Sequence, residues 1–310
     1  MGSGCNQRRE WGEFLMAEYL AKSEDLTAVA DAIRAKGGTD AQLTFPDGFA
    51  AAVQAIPTGA TITDGFVVTA RDADGLVAAA DVYFSHIPIG IFGFTYTGSS
   101  AGKFTIMAQK AQTINFKVPV ISVDNGAFRG NRSPASQVEK IFPTITKDGD
   151  GSFTNSLIEN AYLPLLVDSY GNEFEGCSQL RTINIPLAEG EIKQWFCSNC
   201  TRLTSLYAPR KTVIGTKSIN HCQALKTVEV GSIGYAVTAI DNQAFLNDTQ
   251  IELAITIYTS GDYVDTAMAN IRNSATRATI IIRAAADTTY NGAACAAGDT
   301  ILTSTPEAST

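Results

Sequence analysis

Residues 174–186 read F-E-G-C-S-Q-L-R-T-I-N-I-P, residues 197–209 read C-S-N-C-T-R-L-T-S-L-Y-A-P, and residues 219–231 read I-N-H-C-Q-A-L-K-T-V-E-V-G. Aligned, they share apolar or turn residues at offsets 0, 3, 6, 9, 11 and 12. In the first copy these are Phe174, Cys177, Leu180, Ile183, Ile185 and Pro186. Five of the ten prolines, Pro119, Pro143, Pro164, Pro186 and Pro209, follow one another at steps of 24, 21, 22 and 23 residues, and Gly231 continues the series 22 residues later. A period in the low twenties implies one short supersecondary unit per repeat, stacked so that each coil buries its apolar side against its neighbours.

A second segment fixes the register. Val120, Val123, Asp124, Asn125, Ala127 and Phe128 recur 117 residues later as Val237, Ile240, Asp241, Asn242, Ala244 and Phe245, which spans five coils. Between them Ile158, Ala161, Leu163 and Pro164 supply one frame, and Val138, Ile141 and Pro143 mark an irregular coil. In each coil apolar residues two apart predict a short strand, and the proline, lacking an amide hydrogen, is expected to end it. Successive strands then stack in parallel.

The remaining segments flank this repeat. Residues 1–22 read as a weakly ordered leader, and the first twenty residues lack the continuous apolar run of a signal peptide. Over 23–59 a helical hairpin is expected: Leu26, Val29, Ala30 and Ile33 share one face before Gly37 and Gly38, and Pro46 opens a second helix carrying Phe49, Val53 and Ile56. Residues 60–113 are expected to form a β-rich cap, with a β-hairpin turning at 72–75 and an aromatic strand face at Phe92, Phe94 and Tyr96. The solenoid is assigned to 114–258, in about six to seven coils. An α/β cap follows over 259–310, with a helix near 262–271, a strand at 279–283 and a tail from Thr300. The fold class is therefore α+β: a helical hairpin and a β-hairpin, a parallel strand stack, and a terminal cap.

Charge and composition exclude several functions. The formal charge is -8, from 23 basic and 31 acidic residues, and no Lys/Arg run is present to neutralise phosphates, which argues against a nucleic-acid partner. No apolar stretch reaches a membrane span. Cys197 and Cys200 have the spacing of a zinc or redox pair, but a zinc site needs two further ligands. The repeat already accounts for Cys200, since Cys177 and Cys222 hold the same slot in adjoining coils, so the thiols read as a buried ladder. Two histidines, His86 and His221, are too few for a metal or triad site. Asp148, Asp150, Ser152 and Glu159 fall at calcium-loop positions 1, 3, 5 and 12, yet Phe153 stands where glycine is required, and an acidic turn is the plainer reading. Asp124, Asn125, Asp241 and Asn242 read as turn residues bonding local backbone. Asp81 and His86 lie near serines without a G-x-S-x-G context, and no phosphate-binding glycine loop occurs. Neither an enzyme nor a cofactor nor a metal is expected.

The frame V-x-x-I-x-x-x-A-F of residues 237–245, followed by C-x-x-L-x-x-I-x-I-P as in 177–186, resembles the BspA-like class of leucine-rich repeats. The likeness covers 114–258 and departs where Ala161 and Ala208 replace larger residues and in the coil around Pro143. It implies a right-handed solenoid with one short strand per coil and a role in surface binding. A narrower stretch, D-L-T-A-V-A-D-A-I-R-A-K-G-G-T at 25–39 with F-P-D-G-F within 43–56, is similar to the amino-terminal segment of tail or minor structural proteins of phages and prophages of gut Firmicutes. That resemblance implies a virion component, synthesised in the bacterial cytoplasm. Its partners would be other virion proteins or a bacterial cell-surface protein or glycan, with a homo-oligomer also open. The alternative is a bacterial adhesin or secreted host-factor binding protein, and a glycan hydrolase ranks third. Exposed positions between the apolar slots give the candidate binding residues: Arg181, Asn184, Thr204, Tyr207, Thr227 and Glu229, with Thr182 and Ser205 beside them.

Overall fold

Each coil is built around one fully buried side chain held in a tight turn. These are Phe92, Phe128, Phe153, Phe174, Cys197, Ile219 and Phe245 in successive coils, joined along the stack by backbone bonds such as Phe153 N–H to Glu173 O (3.0 Å) and Phe174 N–H to Phe196 O (2.9 Å). The structure, a computed structural model, describes residues 67–71, 77–88, 92, 94–96, 102–104, 112–246, 248 and 252–306. All lie in the unit Phe66–Thr310; the expected leader and helical hairpin fall in Met1–Gly65, outside the described residues.

From Phe128 to Ile219, both residues two positions away from the ladder side chain have positive φ. Before it stand Gly126, Gly151, Asn172, Trp195 and Lys217; after it stand Gly130, Asn155, Gly176, Asn199 and His221. A left-handed residue on each side reverses the chain around the buried side chain, and glycine or asparagine adopts that conformation at least cost. His221 is thereby a turn residue. The rings Phe92, Phe128, Phe153 and Phe174 stack at centroid distances of 4.8, 5.5 and 5.8 Å. Where the column changes to Cys197, Phe196 fills the space by packing edge-on against Phe174 at 5.4 Å.

The N-terminal strands are β1 (Val67–Arg71), β2 (Val77–Val82), β3 (His86–Ile87), β4 (Phe94–Tyr96), β5 (Gly102–Phe104), β6 (Thr113–Phe116) and β7 (Ser122–Val123). β1 and β2 pair antiparallel as a hairpin, with Val67 opposite Val82, and β6 adds in parallel to β2. The coils then contribute β8 (Asn160–Tyr162), β9 (Thr182–Asn184), β10 (Gly190–Ile192), β11 (Ser205–Ala208), β12 (Lys211–Ile214), β13 (Thr227–Val230), β14 (Ala239–Ile240) and β15 (Ala254–Thr259). After the helix α2 (Val264–Ser274) come β16 (Thr279–Ala284), the hairpin β17 (Thr288–Tyr290) and β18 (Ala293–Cys295), and β19 (Thr300–Ser304).

A seven-stranded sheet runs β8-β9-β11-β13-β15-β16-β19. Its inward positions, such as Ile183, Leu206, Val228, Ile255 and Ile280, are buried. The parallel stack thus continues through β16, beyond the 258 limit read from the repeat. Residues 300–304 are not tail: β19 pairs antiparallel with β16 and closes its edge, with Ile301 and Leu302 packed against the core. The opposite edge is closed differently. In the irregular coil the strand is replaced by a short helix, α1 (Ala135–Val138), and a 3-10 turn, Glu139–Ile141, where Glu139 Oε1 accepts the Glu159 and Asn160 amides at 2.6 and 2.7 Å.

Pro164, Pro186 and Pro209 do follow sheet strands. Pro143 follows the 3-10 turn instead, and Pro119 lies three residues beyond β6, so the proline rule fails at those two coils. A second parallel ladder, absent from the sequence reading, runs behind the prolines: β3 pairs with β7, single bridges join Ser122 to Lys147 and Lys147 to Asp168, and β10, β12 and β14 continue it.

Candidate functional site

The outward positions of the seven-stranded sheet form rows across the strands. One row contains Tyr162, Asn184, Tyr207 and Glu229, aligned by direct pairing on β8, β9, β11 and β13. A neighbouring row contains Thr182, Ser205 and Thr227. Of the candidate residues, Asn184, Tyr207, Thr227 and Glu229 therefore share one face. Arg181 and Thr204 precede the strands: Arg181 lies 3.9 Å from Glu159 in an exposed ion pair, and the Thr204 hydroxyl donates to the Arg181 carbonyl at 2.9 Å. Thr204 is thus a tie between coils, its hydroxyl proton engaged and its lone pairs left as acceptors.

Two tyrosines missed earlier belong to this face. Tyr162 is 54% exposed, more than Tyr207 at 39%, and Tyr258 stands outward on β15. The signal for Tyr162 was present, since it precedes Pro164 by two residues as Tyr207 precedes Pro209. Partial burial, then Glu229 and Tyr258, push the Tyr207 hydroxyl pKa up.

On the second ladder His86, Ser122 and Asp124 come together. His86 Nδ1 lies 2.6 Å from Ser122 Oγ, and Nε2 lies 3.1 Å from Asp124 Oδ1. They line an open cleft of about 500 Å³ with Lys147, Asp148 and Tyr170. This resembles the grouping of a nucleophilic serine with its base, but acyl transfer also requires donors aimed at an oxyanion. The amides of Ser122, Val123 and Asp124 are bonded to the carbonyls of Ser85, Lys147 and Ile87, which leaves none of the three for that task. Asp124 and Asn125 bond neighbouring coils, as when Asn125 Oδ1 accepts from Asp150 N–H at 2.8 Å; Asp241 does both, its Oδ1 accepting locally from Gln243 N–H at 2.8 Å as the sequence suggests and its Oδ2 accepting from the Thr216 hydroxyl of the neighbouring coil at 2.8 Å.

Beneath the second ladder lies a buried polar cluster that the sequence does not announce. Asp148 and Glu173 are fully buried, and burial pushes Asp148 up to about 7 and Glu173 well above its usual range; the Asp148 charge adds to the rise at Glu173, while a hydrogen bond with Glu173 eases the rise at Asp148. Lys211 is equally buried; its Nζ donates to Ser169 Oγ and to the Glu189 and Glu191 carbonyls at 2.8 and 3.1 Å. Asp148 is accordingly no exposed acidic turn, and Phe153 of the supposed calcium loop is a core ladder residue.

The cysteine ladder has a more specific chemistry than small apolar packing. At four of the ladder positions the residue three places on is a buried donor to the preceding coil. Asn131 donates to Phe92 O (2.9 Å), Cys177 to Phe153 O (3.0 Å), Cys200 to Phe174 O (3.0 Å) and Cys222 to Cys197 O (3.1 Å). Ser156 holds the same slot, 3.5 Å from Cys177 Sγ, and Asp248 ends the series by accepting the Cys222 amide at 2.7 Å. Burial pushes the Cys177 thiol up to about 11 and those of Cys197 and Cys200 up as well, so thiolate chemistry is disfavoured. Among the described residues no group of three or more His, Cys, Asp or Glu is arranged to hold a metal, and no helix is long and apolar enough to cross a membrane.

Comparison with protein families matches residues 99–226 to the BspA type leucine-rich repeat region, in six copies. The matched segment holds β8, β9 and β11 of the strand face and ends just before β13. It does not extend to residues 25–56. Neither the curated proteins nor the solved structures yield a match.

Proposed function

We propose that this chain is a non-enzymatic binding protein that presents the outer face of its leucine-rich-repeat sheet to a protein or glycan partner. The observation that carries the reading is the row Tyr162, Asn184, Tyr207 and Glu229. Large amphipathic rings stand exposed where the fold needs only a strand, and such rings contribute most to binding surfaces. The repeat match supports the same reading, since a stack of coils offers an extended surface rather than an enclosed pocket.

Its biological setting, on this proposal, is an exposed position on a phage particle. Support comes from the sequence likeness at 25–56 to phage tail and minor structural proteins. Mass spectrometry of particles purified from an induced lysogen tests the setting, and absence of the chain from virions refutes it. Detection on the bacterial envelope instead favours the adhesin alternative. The binding role itself is tested by retention of host cell-surface protein or cell-wall glycan on the immobilised chain. The Tyr162→Ala/Tyr207→Ala double variant should lose that retention while keeping the wild-type circular dichroism spectrum.

A further inference from the structure

The tyrosines of the strand face are not scattered. Tyr162, Tyr207 and Tyr258 stand on β8, β11 and β15, which are alternate strands of the sheet, while Asn184 and Glu229 occupy the strands between them. Neighbouring strands lie about 4.8 Å apart, so the rings recur about every 9.6 Å along the solenoid axis. Tyr258 is displaced by two residues, about 6.8 Å, along its strand relative to Thr256, which pairs with Glu229, so it stands beside the axial line through Tyr162 and Tyr207 and not on it.

We propose that this line is a subsite array for a linear, uncharged glycan of equatorially linked pyranose rings, lying along the solenoid axis; the proposal rests on the binding reading above and names its ligand class. In an extended chain of that kind each ring advances by close to one strand spacing, and successive rings are turned over, so alternate rings present the same face. Tyrosines on alternate strands thus meet the same apolar ring face at every second sugar. Asn184 and Glu229 stand opposite the intervening sugars, with amide and carboxylate groups suited to hydroxyls.

Two other ligand classes fit less well. An extended peptide repeats same-side side chains about every 6.8 Å, out of step with rings about 9.6 Å apart. An anionic polymer finds no neutralising group in the Tyr162–Glu229 row, whose charged member is Glu229 itself; Arg181 and Lys226 at its margin are paired with Glu159 and Glu252, and Arg283, cross-strand from Tyr258, lies beyond the row and donates to the Gly298 carbonyl at 3.4 Å. A neutral, hydroxyl-rich chain matches both the spacing and the charge.

The test is calorimetric titration of the full chain with cello-oligosaccharides and N-acetylchito-oligosaccharides of two to six rings. At least one series should show affinity rising in a step from two to three rings, as the second tyrosine of the row is reached. Tyr207→Ala should weaken binding of the five-ring ligand by about 2- to 12-fold, and Tyr207→Phe should retain most of it. Affinity independent of chain length, or unchanged by Tyr207→Ala, overturns the proposal. If neither series binds while a host-surface protein is still retained through Tyr162 and Tyr207, the glycan is wrong and the binding face stands. If the double variant retains protein and glycan as the wild type does, the binding face falls as well.

Discussion

Replacing Cys200 by serine, alanine and valine separates hydrogen bonding from packing in the slot three residues after each ladder position. Cys200 is fully buried, and its thiol donates to Phe174 O at 3.0 Å. That carbonyl already accepts the Cys177 amide at 3.1 Å, so the thiol supplies its second bond. Losing one such bond costs about 0.5–1.5 kcal/mol. Were the slot only a small apolar site, valine would be nearly neutral, alanine would leave a small cavity, and serine would be the most damaging of the three. If the slot selects a donor, the order inverts. Serine, which already holds the slot at Ser156, stays close to wild type, and valine and alanine each lose about 1 kcal/mol. That loss corresponds to about 2–4 °C in Tm for a unit of this size. Thermal melts and urea midpoints followed by circular dichroism under reducing conditions read the order directly. A serine variant less stable than the valine variant would refute the donor account.

Three further outcomes are expected. Glu139→Ala removes the acceptor of the Glu159 and Asn160 amides and opens the edge of β8, so the variant should lose about 2 kcal/mol and self-associate with rising concentration in light scattering; a monomer of unchanged stability contradicts the capping role. The Asp148 carboxyl is raised to about 7 in the folded state, so the stability it confers is complete below about pH 4 and is lost as pH rises through about 7; Glu173, raised well above its usual range, acts in the same direction. Asp148→Asn keeps the acceptor for the Tyr170 amide but cannot ionise; its stability should fall less than the wild type's between pH 5 and pH 8, and equal slopes in denaturation series speak against the burial account. Lys217 holds a left-handed backbone at φ +52, so Lys217→Gly should raise the melting midpoint, with relief of about 1 kcal/mol.

What the sequence made legible was the part of the fold that repeats. Cys177, Cys200 and Cys222 share a slot in the sequence and share a donor geometry in the structure, because identical local packing demands identical residues. The second ladder was not legible: its bridges at Lys147 and Asp168 are single residues with no alternating pattern to betray a strand. Lys211 was hidden for a related reason. It occupies an inward strand position where an aliphatic residue is expected, and its partners Asp148 and Glu173 come from other coils. The candidate face was partly legible, since Tyr207, Asn184 and Glu229 follow from strand alternation. The tie made by Thr204 was not legible, because alternation does not say that a hydroxyl one residue before a strand holds down the preceding coil.

The direction of the backbone bonds between coils has a mechanical consequence. Strands lie across the solenoid axis, so the bonds joining β9 to β11 and β11 to β13 point along it. A pull applied along that axis loads the coils in series, and the weakest interface peels first while its neighbours hold. Extension should therefore proceed in steps of one coil rather than in a single rupture. The stacked rings from Phe92 to Phe174 mark the end of the array that yields last, and the stretch around Cys197 and Ile219, where the ring column is interrupted, marks the place where it opens.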